Sequence, residues 1–284
     1  MIKDKYLSNL RTPSFSINDP AIGVITGTDE FTFDGLQVLY ASLKGKVQFL
    51  CYDLGMKQDQ LEWCKQQNLC TKSSPVQLDQ TIKHWQTLSK PWLVKDSPFE
   101  YTVWIDTDCI VIGDLSKADL ITNKRTFFTK HWIHQHLLLK NKPCIYERFP
   151  LETKNVSHIN AGVLGINKTT HSFLLDDWIH VLDSCIKNPE LLDGLASADE
   201  GGLTWALQKL DDESIIVDDY RYNHCSMFSD SNVRKIMYQP YFLAKAGVYP
   251  PSFFSQLQNA QESFILHFST QLKNEQKYWN MWPH

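Results

Sequence analysis

Long apolar runs are missing from this 284-residue sequence, and residues 1–10 contain no segment that resembles a signal peptide. Its seven cysteines are scattered, with no Cys-x-x-Cys pair to indicate a zinc or redox site. Positive charge is not in excess, since the formal net charge is -4, which excludes reliance on broad attraction to nucleic acid. We therefore expect a cytoplasmic protein with reduced thiols, no transmembrane segment and no nucleic-acid partner.

The sequence also lacks internal repeats, low-complexity stretches and any linker that would separate two domains. Hydrophobic residues make up 43% of the chain and charged residues 21%, a balance that allows a sizeable folded core. These features predict a single domain over residues 1–284.

Short apolar runs alternate with helical patterns in the first half of the chain. The runs 22–26, 47–52 and 101–105 predict strands, and apolar residues at helical spacing over 36–43 predict a helix that Gly45 ends. The run 101–105 is apolar or β-branched throughout, which is typical of a strand covered on both faces. This order predicts an α/β fold with a mainly parallel central sheet and helices on both faces.

The second half of the chain is less regular. Apolar runs at 163–166, 215–217 and 264–267 predict further short strands. One face of a long helix is marked by apolar residues over 174–185, and a second helix is predicted over 199–210.

Two carboxylates, Asp106 and Asp108, directly follow the predicted strand 101–105. Ligands of open α/β sheets bind beyond the carboxyl ends of the strands, where carboxylates can join Mn²⁺ or Mg²⁺ to the phosphates of a nucleotide-sugar. The alternative is that the two acids only cap a turn. Haloacid-dehalogenase phosphatases also carry Asp-x-Asp after a strand, but Ile110 stands where those enzymes have threonine.

The Asp-x-Asp string resembles the metal motif of GT-A glycosyltransferases. Three further segments, in the same order, resemble glycosyltransferase family 8, which includes glycogenin and bacterial lipooligosaccharide galactosyltransferases. They are residues 21–31, residues 160–167, and His267 with Lys273 and Trp279 beyond it. The resemblance implies a GT-A fold, with a nucleotide-binding part over roughly 20–115 and a donor-sugar and acceptor part over 116–284.

Carried over residue by residue, the resemblance implies that Asp106, Asp108 and His267 bind Mn²⁺ or Mg²⁺. It also implies that Asp29 and Phe31 hold the base and that Lys273 contacts the diphosphate. Lys90 is expected to reach a phosphate. The expected donor-binding residues are Thr26, Gly27, Thr28, Asp29, Phe31, Lys90, Thr107, Asn160, Ala161, Gly162 and Lys273.

Several of these residues have a plainer interpretation as well. Phe31 and His267 are apolar or aromatic types that are often buried in a core. Asn160 can serve as a turn amide bonded to the backbone, and Lys273 lies in a charged, polar tail where lysine is usually solvated.

Asp199 and Glu200 are the candidate catalytic residues. The resemblance implies that Asp199 binds sugar hydroxyls and that Glu200, which replaces the family's glutamine, lies near the anomeric carbon. It implies transfer of a hexose with retention from a UDP-sugar to an unidentified glycan, lipid-linked or protein acceptor. Alternatives are an inverting reaction with Asp199 or Glu200 as base, a non-catalytic nucleotide-sugar-binding protein, or two acids that only stabilise a helix N-terminus.

Overall fold

The structure is a computed structural model. The residues it describes are 15–79, 85–111, 113–130, 145–151, 159–192, 198–208, 210, 215–217, 222, 224–225 and 265–267. All structural statements below concern these residues.

Strands and helices alternate through the first part of the chain, as the apolar pattern predicts. They are β1 (Ile22–Thr28), α1 (Phe33–Leu43), β2 (Gln48–Asp53), α2 (Gln58–Gln66) and β3 (Cys70–Ser73). Helix α1 ends just before Gly45, whose φ of 72° lies in the left-handed region that glycine adopts without steric cost.

The middle of the chain contains three short helices and the strand that precedes the Asp-x-Asp pair. The elements are α3 (Trp85–Leu88), α4 (Lys90–Asp96), β4 (Tyr101–Ile105), β5 (Cys109–Val111), α5 (Asp119–Thr122) and β6 (Phe127–Lys130). The bounds of β4 are those that the sequence predicts.

The last part holds the longest helix and three very short strands. The elements are α6 (Ile145–Arg148), β7 (Ile159–Asn167), α7 (Lys168–Lys187), α8 (Ala198–Leu207), β8 (Ile216–Val217), β9 (His224–Cys225) and β10 (Ile265–His267). None of the described helices combines the length and the apolar character that crossing a membrane requires.

Seven strands form the central sheet in the order β3-β2-β1-β4-β7-β6-β8. All neighbouring pairs are parallel except those of β7, which runs antiparallel to both β4 and β6. Strands β2 and β3 lie on one side of β1, and β4 lies on its other side. The direction in which strands are added to the sheet therefore reverses between β1 and β4. In open α/β sheets ligands bind at the carboxyl ends of the strands at such a reversal.

Helices cover both faces of the sheet, as predicted. On one face the side chains of Ile25, Trp104 and Leu164 pack in the same core cluster as residues of α4, α7 and α8. On the other face Val24 and Val103 pack in a cluster that includes two leucines of α1. The prediction of a mainly parallel α/β sheet with helices on both faces is confirmed.

Strand β7 runs from Ile159 to Asn167 and is therefore longer than the predicted run 163–166, and Gly165 within it is a packing position. A Cβ atom on Gly165 would lie 2.4 Å from the ring of Phe127 and 2.5 Å from the hydroxyl of Tyr101. The two aromatic side chains fill the space that a side chain at this position would need, and the strand continues through it to Asn167.

Candidate functional site

The ends of β1 and β4 bring two of the predicted segments to the same edge of the sheet. The turn 29–32 follows β1, and Asp106 follows β4. The backbone N–H of Asp106 donates to the carbonyl of Gly162 in β7 at 2.8 Å, and its own carbonyl accepts from the N–H of Cys109 at 3.0 Å. The chain after β4 is therefore a tight turn anchored to the neighbouring strand.

Asp29 organises the turn after β1. Its Oδ1 atom accepts from the backbone N–H groups of Phe31 and Thr32 at 3.0 and 2.8 Å and from the Thr32 hydroxyl at 2.7 Å. Its Oδ2 atom accepts from Nε2 of Gln86 in α3 at 2.7 Å. An aspartate that bonds the backbone two and three residues ahead fixes the turn locally.

Phe31 is the most exposed large hydrophobic residue described, with 82% of its surface accessible. Core packing is therefore not its role. Its backbone N–H is held by Asp29, so a solvent-facing aromatic ring is presented from a fixed turn at the carboxyl end of β1.

The three residues before Asp29 support the strand end. The buried hydroxyl of Thr26 has no hydrogen-bond partner among the described residues, and that of Thr28 lies 2.9 Å from the Thr32 hydroxyl. A Cβ on Gly27 would lie 2.9 Å from Cδ1 of Leu54 and 3.1 Å from Cδ1 of Leu93. The absence of a side chain at Gly27 thus has a packing reason.

Lys90 lies at the centre of a buried ion network. Its Nζ atom is 3.0 Å from both carboxylate oxygens of Asp106 and 3.0 Å from Oδ2 of Asp199, and it donates to the carbonyl of Ala161 at 3.2 Å. Only 5% of its side chain is exposed. Burial by itself lowers the pKa of Lys90, but the two carboxylates outweigh burial and hold the pKa above its usual value, so the ammonium stays charged.

Asp106 accepts a further bond from the strand that precedes it. The indole Nε1 of Trp104 donates to Oδ1 of Asp106 at 2.7 Å, and the ring centroid of Trp104 is 5.7 Å from Nζ of Lys90. A lysine over an aromatic face gains electrostatic stabilisation. Trp104 therefore contacts both Lys90 and Asp106. The pattern of β4, which is apolar or β-branched throughout, does not reveal this role.

Asp199 and Glu200 occupy the first turn of α8, beside β7. The side chain of Asp199 is only 2% exposed, and its Oδ1 atom has no hydrogen-bond partner among the described residues. Its carbonyl accepts from Nε1 of Trp178 at 2.9 Å. Oε1 of Glu200 accepts from Nδ2 of Asn160 at 3.1 Å, while Oδ1 of Asn160 accepts from the N–H of Gly162 at 2.9 Å.

A phenol also lies near Glu200. Burial raises the pKa of Tyr146 in α6, and the negative charge of Glu200 raises it further. Tyr146 therefore remains protonated beside the carboxylate. The sequence does not point to Tyr146 as a site residue, because nothing in its neighbourhood resembles a motif.

The second carboxylate of the Asp-x-Asp pair lies at the start of a small three-stranded sheet, β5-β10-β9. Asp108 and Thr107 are both buried. Antiparallel pairing of β5 and β10 sets the backbone of His267 opposite Cys109, the residue after Asp108. For His267 the structure describes the backbone alone.

The structure thus brings several of the predicted site residues into direct contact. Lys90, Asp106, Ala161 and Asp199 meet in one network, and Asn160, Gly162 and Glu200 adjoin it. Among the described side chains, no group of three or more His, Cys, Asp and Glu residues forms a metal-binding cluster. Lys273 lies outside the described residues.

Comparison with solved structures finds glycosyltransferases at low sequence identity. The apo form of the glycosyltransferase GlyE from Streptococcus pneumoniae TIGR4 has a TM-score of 0.50 at 16% identity, over 92% of this chain and 60% of that chain. The galactosyltransferase LgtC in complex with donor and acceptor sugar analogs has a TM-score of 0.49 at 12% identity, over 87% of this chain and 86% of that chain. No protein-family model and no curated protein matches the sequence.

Because the match covers 60% of GlyE, this chain spans less than two thirds of the length of that protein. At 16% identity the likeness shows the fold alone. The chain has the mixed α/β fold of GT-A glycosyltransferases.

Proposed function

We propose that this protein is a metal-dependent glycosyltransferase that moves a hexose from a UDP-sugar to an acceptor, with retention at the anomeric carbon. The observation that carries the proposal is the meeting of Asp106 and Asp199 on the buried Lys90, at the sheet edge that also presents Phe31. Nucleotide-sugars need an aromatic or apolar surface for the base, charge for the diphosphate and polar groups for the sugar. This edge of the sheet presents all three kinds of group.

The residues present suit a divalent cation. Asp106 and Asp108 offer carboxylate oxygens, the ligands that Mn²⁺ and Mg²⁺ prefer. His267 is the proposed third ligand, since β10 pairs with the strand that begins directly after Asp108, and an imidazole favours Mn²⁺ over Mg²⁺. A bound ion at these residues would neutralise negative charge on the diphosphate.

Phe31 and Asp29 are the proposed base-binding residues. The exposed ring of Phe31 offers a face on which a base can stack, and base–aromatic stacking contributes about 1–3 kcal/mol. The backbone from Thr26 to Thr28 leads into this turn and is proposed to approach the nucleotide closely. Thr107 and Lys273 are the proposed neighbours of the phosphates.

Asp199 is the proposed ligand of the sugar hydroxyls. Its buried Oδ1 atom is an acceptor with no partner among the described residues, so a hydroxyl donor there would satisfy it. Lys90 fixes the other oxygen of Asp199 at 3.0 Å. Lys90 therefore orients the sugar-binding carboxylate and Asp106 together.

Glu200 is the second proposed catalytic residue, held by Asn160 at 3.1 Å. In the retaining reaction, the acceptor oxygen bonds to the anomeric carbon from the side on which the bond to the diphosphate breaks. The acceptor's proton passes to the leaving diphosphate, and positioning with charge stabilisation supplies most of the catalysis. Because Glu200 is itself a carboxylate, an inverting reaction with Glu200 or Asp199 as general base is the second candidate.

We propose that residues 1–284 form one catalytic unit. Residues 20–115, roughly, would bind the nucleotide, and residues 116–284 would bind the donor sugar and the acceptor. Transfer to an acceptor distinguishes it from a non-catalytic nucleotide-sugar-binding protein on the same fold. Such a protein would bind UDP and Mn²⁺ but release no UDP from a UDP-hexose.

Release of UDP from a panel of UDP-hexoses, with Mn²⁺ and with a chelator, tests the proposal. We expect Mn²⁺-dependent release from the wild-type protein and a loss of at least about 100-fold in Asp108→Asn. Asp108→Asn is a cleaner variant than Asp106→Asn, which also removes a partner of the buried Lys90. Asp114→Asn, a partly buried aspartate beyond β5 that bonds Ser116, is the control and should retain the wild-type rate. Equal release by Asp108→Asn and wild type would contradict the metal assignment.

A further inference from the structure

Helix α1 joins the turn after β1 to the Asp-x-Asp turn after β4. It begins at Phe33, immediately after the turn that presents Phe31. Within its first turn, Gly35 lies against the backbone of Thr107. A Cβ atom on Gly35 would be 2.5 Å from the carbonyl oxygen of Thr107 and 3.1 Å from its carbonyl carbon.

The atoms that Gly35 meets are backbone atoms of the Asp-x-Asp turn. A flexible side chain could swing away from an added methyl group, but the carbonyl of Thr107 is fixed by the bonds on both sides of it. The N–H of Asp106 is bonded to Gly162, and the carbonyl of Asp106 is bonded to Cys109. An added methyl group at Gly35 would therefore push the helix and the turn apart as units.

A second contact holds α1 to the chain beyond Asp108. The hydroxyl of Ser42 accepts from the backbone N–H of Val111 in β5 at 3.2 Å and donates to the carbonyl of Leu39 at 2.6 Å. The helix thus touches the chain on both sides of Asp108. Glycine inside a helix is less stable than alanine, so the packing against Thr107 gives a physical reason for its presence.

We propose that α1 is a spacer that sets the distance between the base-binding turn and the metal-binding turn, and that Gly35 is the residue that positions the two. This inference rests on the proposed function and deepens it. The spacer would select ligands in which a base and a metal-bridged diphosphate are separated as they are in a nucleoside diphosphate. Gly35 acts through Thr107 and α1, and contacts no ligand itself.

Gly35→Ala is the direct test. Relieving a 2.5 Å contact to an ordinary carbon–oxygen separation of about 3.3 Å requires a shift of nearly an ångström, and misplacement of that size can cost about 100-fold in a site. We expect the affinity for UDP with Mn²⁺, measured by calorimetry, to fall about 10- to 100-fold. The affinity for UMP without metal, which engages the base turn alone, should stay within about twofold, because the turn 29–32 is not displaced relative to its own strand.

Ala41→Gly is the matched control, since it changes the intrinsic stability of the same helix without adding atoms at the contact with Thr107. It should leave both affinities unchanged. Ser42→Ala is the second variant, and it should weaken UDP–Mn²⁺ binding in the same direction by a few fold even if Gly35→Ala fails to fold.

Equal losses for UMP and for UDP with Mn²⁺ in either variant would overturn the spacer role, because a general loss of structure affects both ligands. Unchanged UDP–Mn²⁺ affinity in Gly35→Ala would also overturn it. If the wild-type protein binds UMP but gains nothing from the second phosphate and Mn²⁺, the proposed function itself fails and the spacer fails with it. The wild-type result thus separates the two failures.

Discussion

The surroundings of Lys90 in the structure differ from those that the sequence predicts. It stands in a short Lys-Pro-Trp segment, where it was expected only to reach a phosphate. In the structure its ammonium lies between Asp106 and Asp199 and is buried. The residue type was predictable as part of the site, but its partners were not, because Asp199 belongs to a helix far away in the sequence.

We predict that Lys90→Met destabilises the protein by about 3–5 kcal/mol, because it leaves the buried carboxylate of Asp199 and the partly buried carboxylate of Asp106 without their cation. Urea denaturation in the absence of metal measures the loss. Added Mn²⁺ should recover part of it, since a cation at Asp106 replaces some of the missing charge.

Lys95→Met is the matched control for this prediction. Lys95 lies on the same helix α4, and its ion pair with Asp176 is exposed to solvent, so the loss should be between about 0 and 1 kcal/mol. A similar small loss in Lys90→Met would show that the buried network contributes little to stability.

Secondary-structure elements were predicted best where the apolar pattern is long and uninterrupted. The bounds of β4 agree with the prediction. Strand β7 was predicted too short, because Asn160 and Gly162 interrupt the apolar pattern of the residues that precede Val163. The pairing of β5 with β10 could not be predicted, because two three-residue strands carry no signal of which partner they choose.

Gly165→Ala tests whether the aromatic rings beside Gly165 leave no room for a side chain at this position of β7. The added methyl group would overlap the ring of Phe127 at 2.4 Å, and overpacking of a buried site costs about 1–3 kcal/mol. Urea denaturation should show this loss. Gly201→Ala is the comparison: its Cβ would lie 3.1 Å from a methyl carbon of Ile145, and alanine favours the helix by up to about 1 kcal/mol, so its stability should be unchanged or higher.

At the scale of the whole molecule, the order of the strands in the central sheet determines where the site residues meet. The turn with Phe31 and the turn with Asp106 become neighbours because β1 and β4 are adjacent and parallel at the centre of the sheet. The sequence predicted an α/β sheet and the site residues, but no local pattern states that β4 pairs with β1. The resemblance to a glycosyltransferase family implied the arrangement, and the strand register now gives its physical cause.

This arrangement predicts that nucleotide and metal stabilise the fold cooperatively. UDP bridges a base site after β1 and a metal site after β4, so each ligand should raise the affinity for the other. With each ligand at about 100 times its dissociation constant, each alone contributes about 2.7 kcal/mol, or roughly 5–10 °C in the unfolding temperature, and the two together contribute about 5.4 kcal/mol before any coupling. Thermal unfolding with Mn²⁺, with UDP, or with both measures these gains.

We expect the combined shift in the unfolding temperature to exceed the sum of the separate shifts. UMP with Mn²⁺ should give nearly additive shifts, because UMP lacks the diphosphate. Additive shifts for UDP would mean that the two turns bind their ligands independently, even though their strands are adjacent.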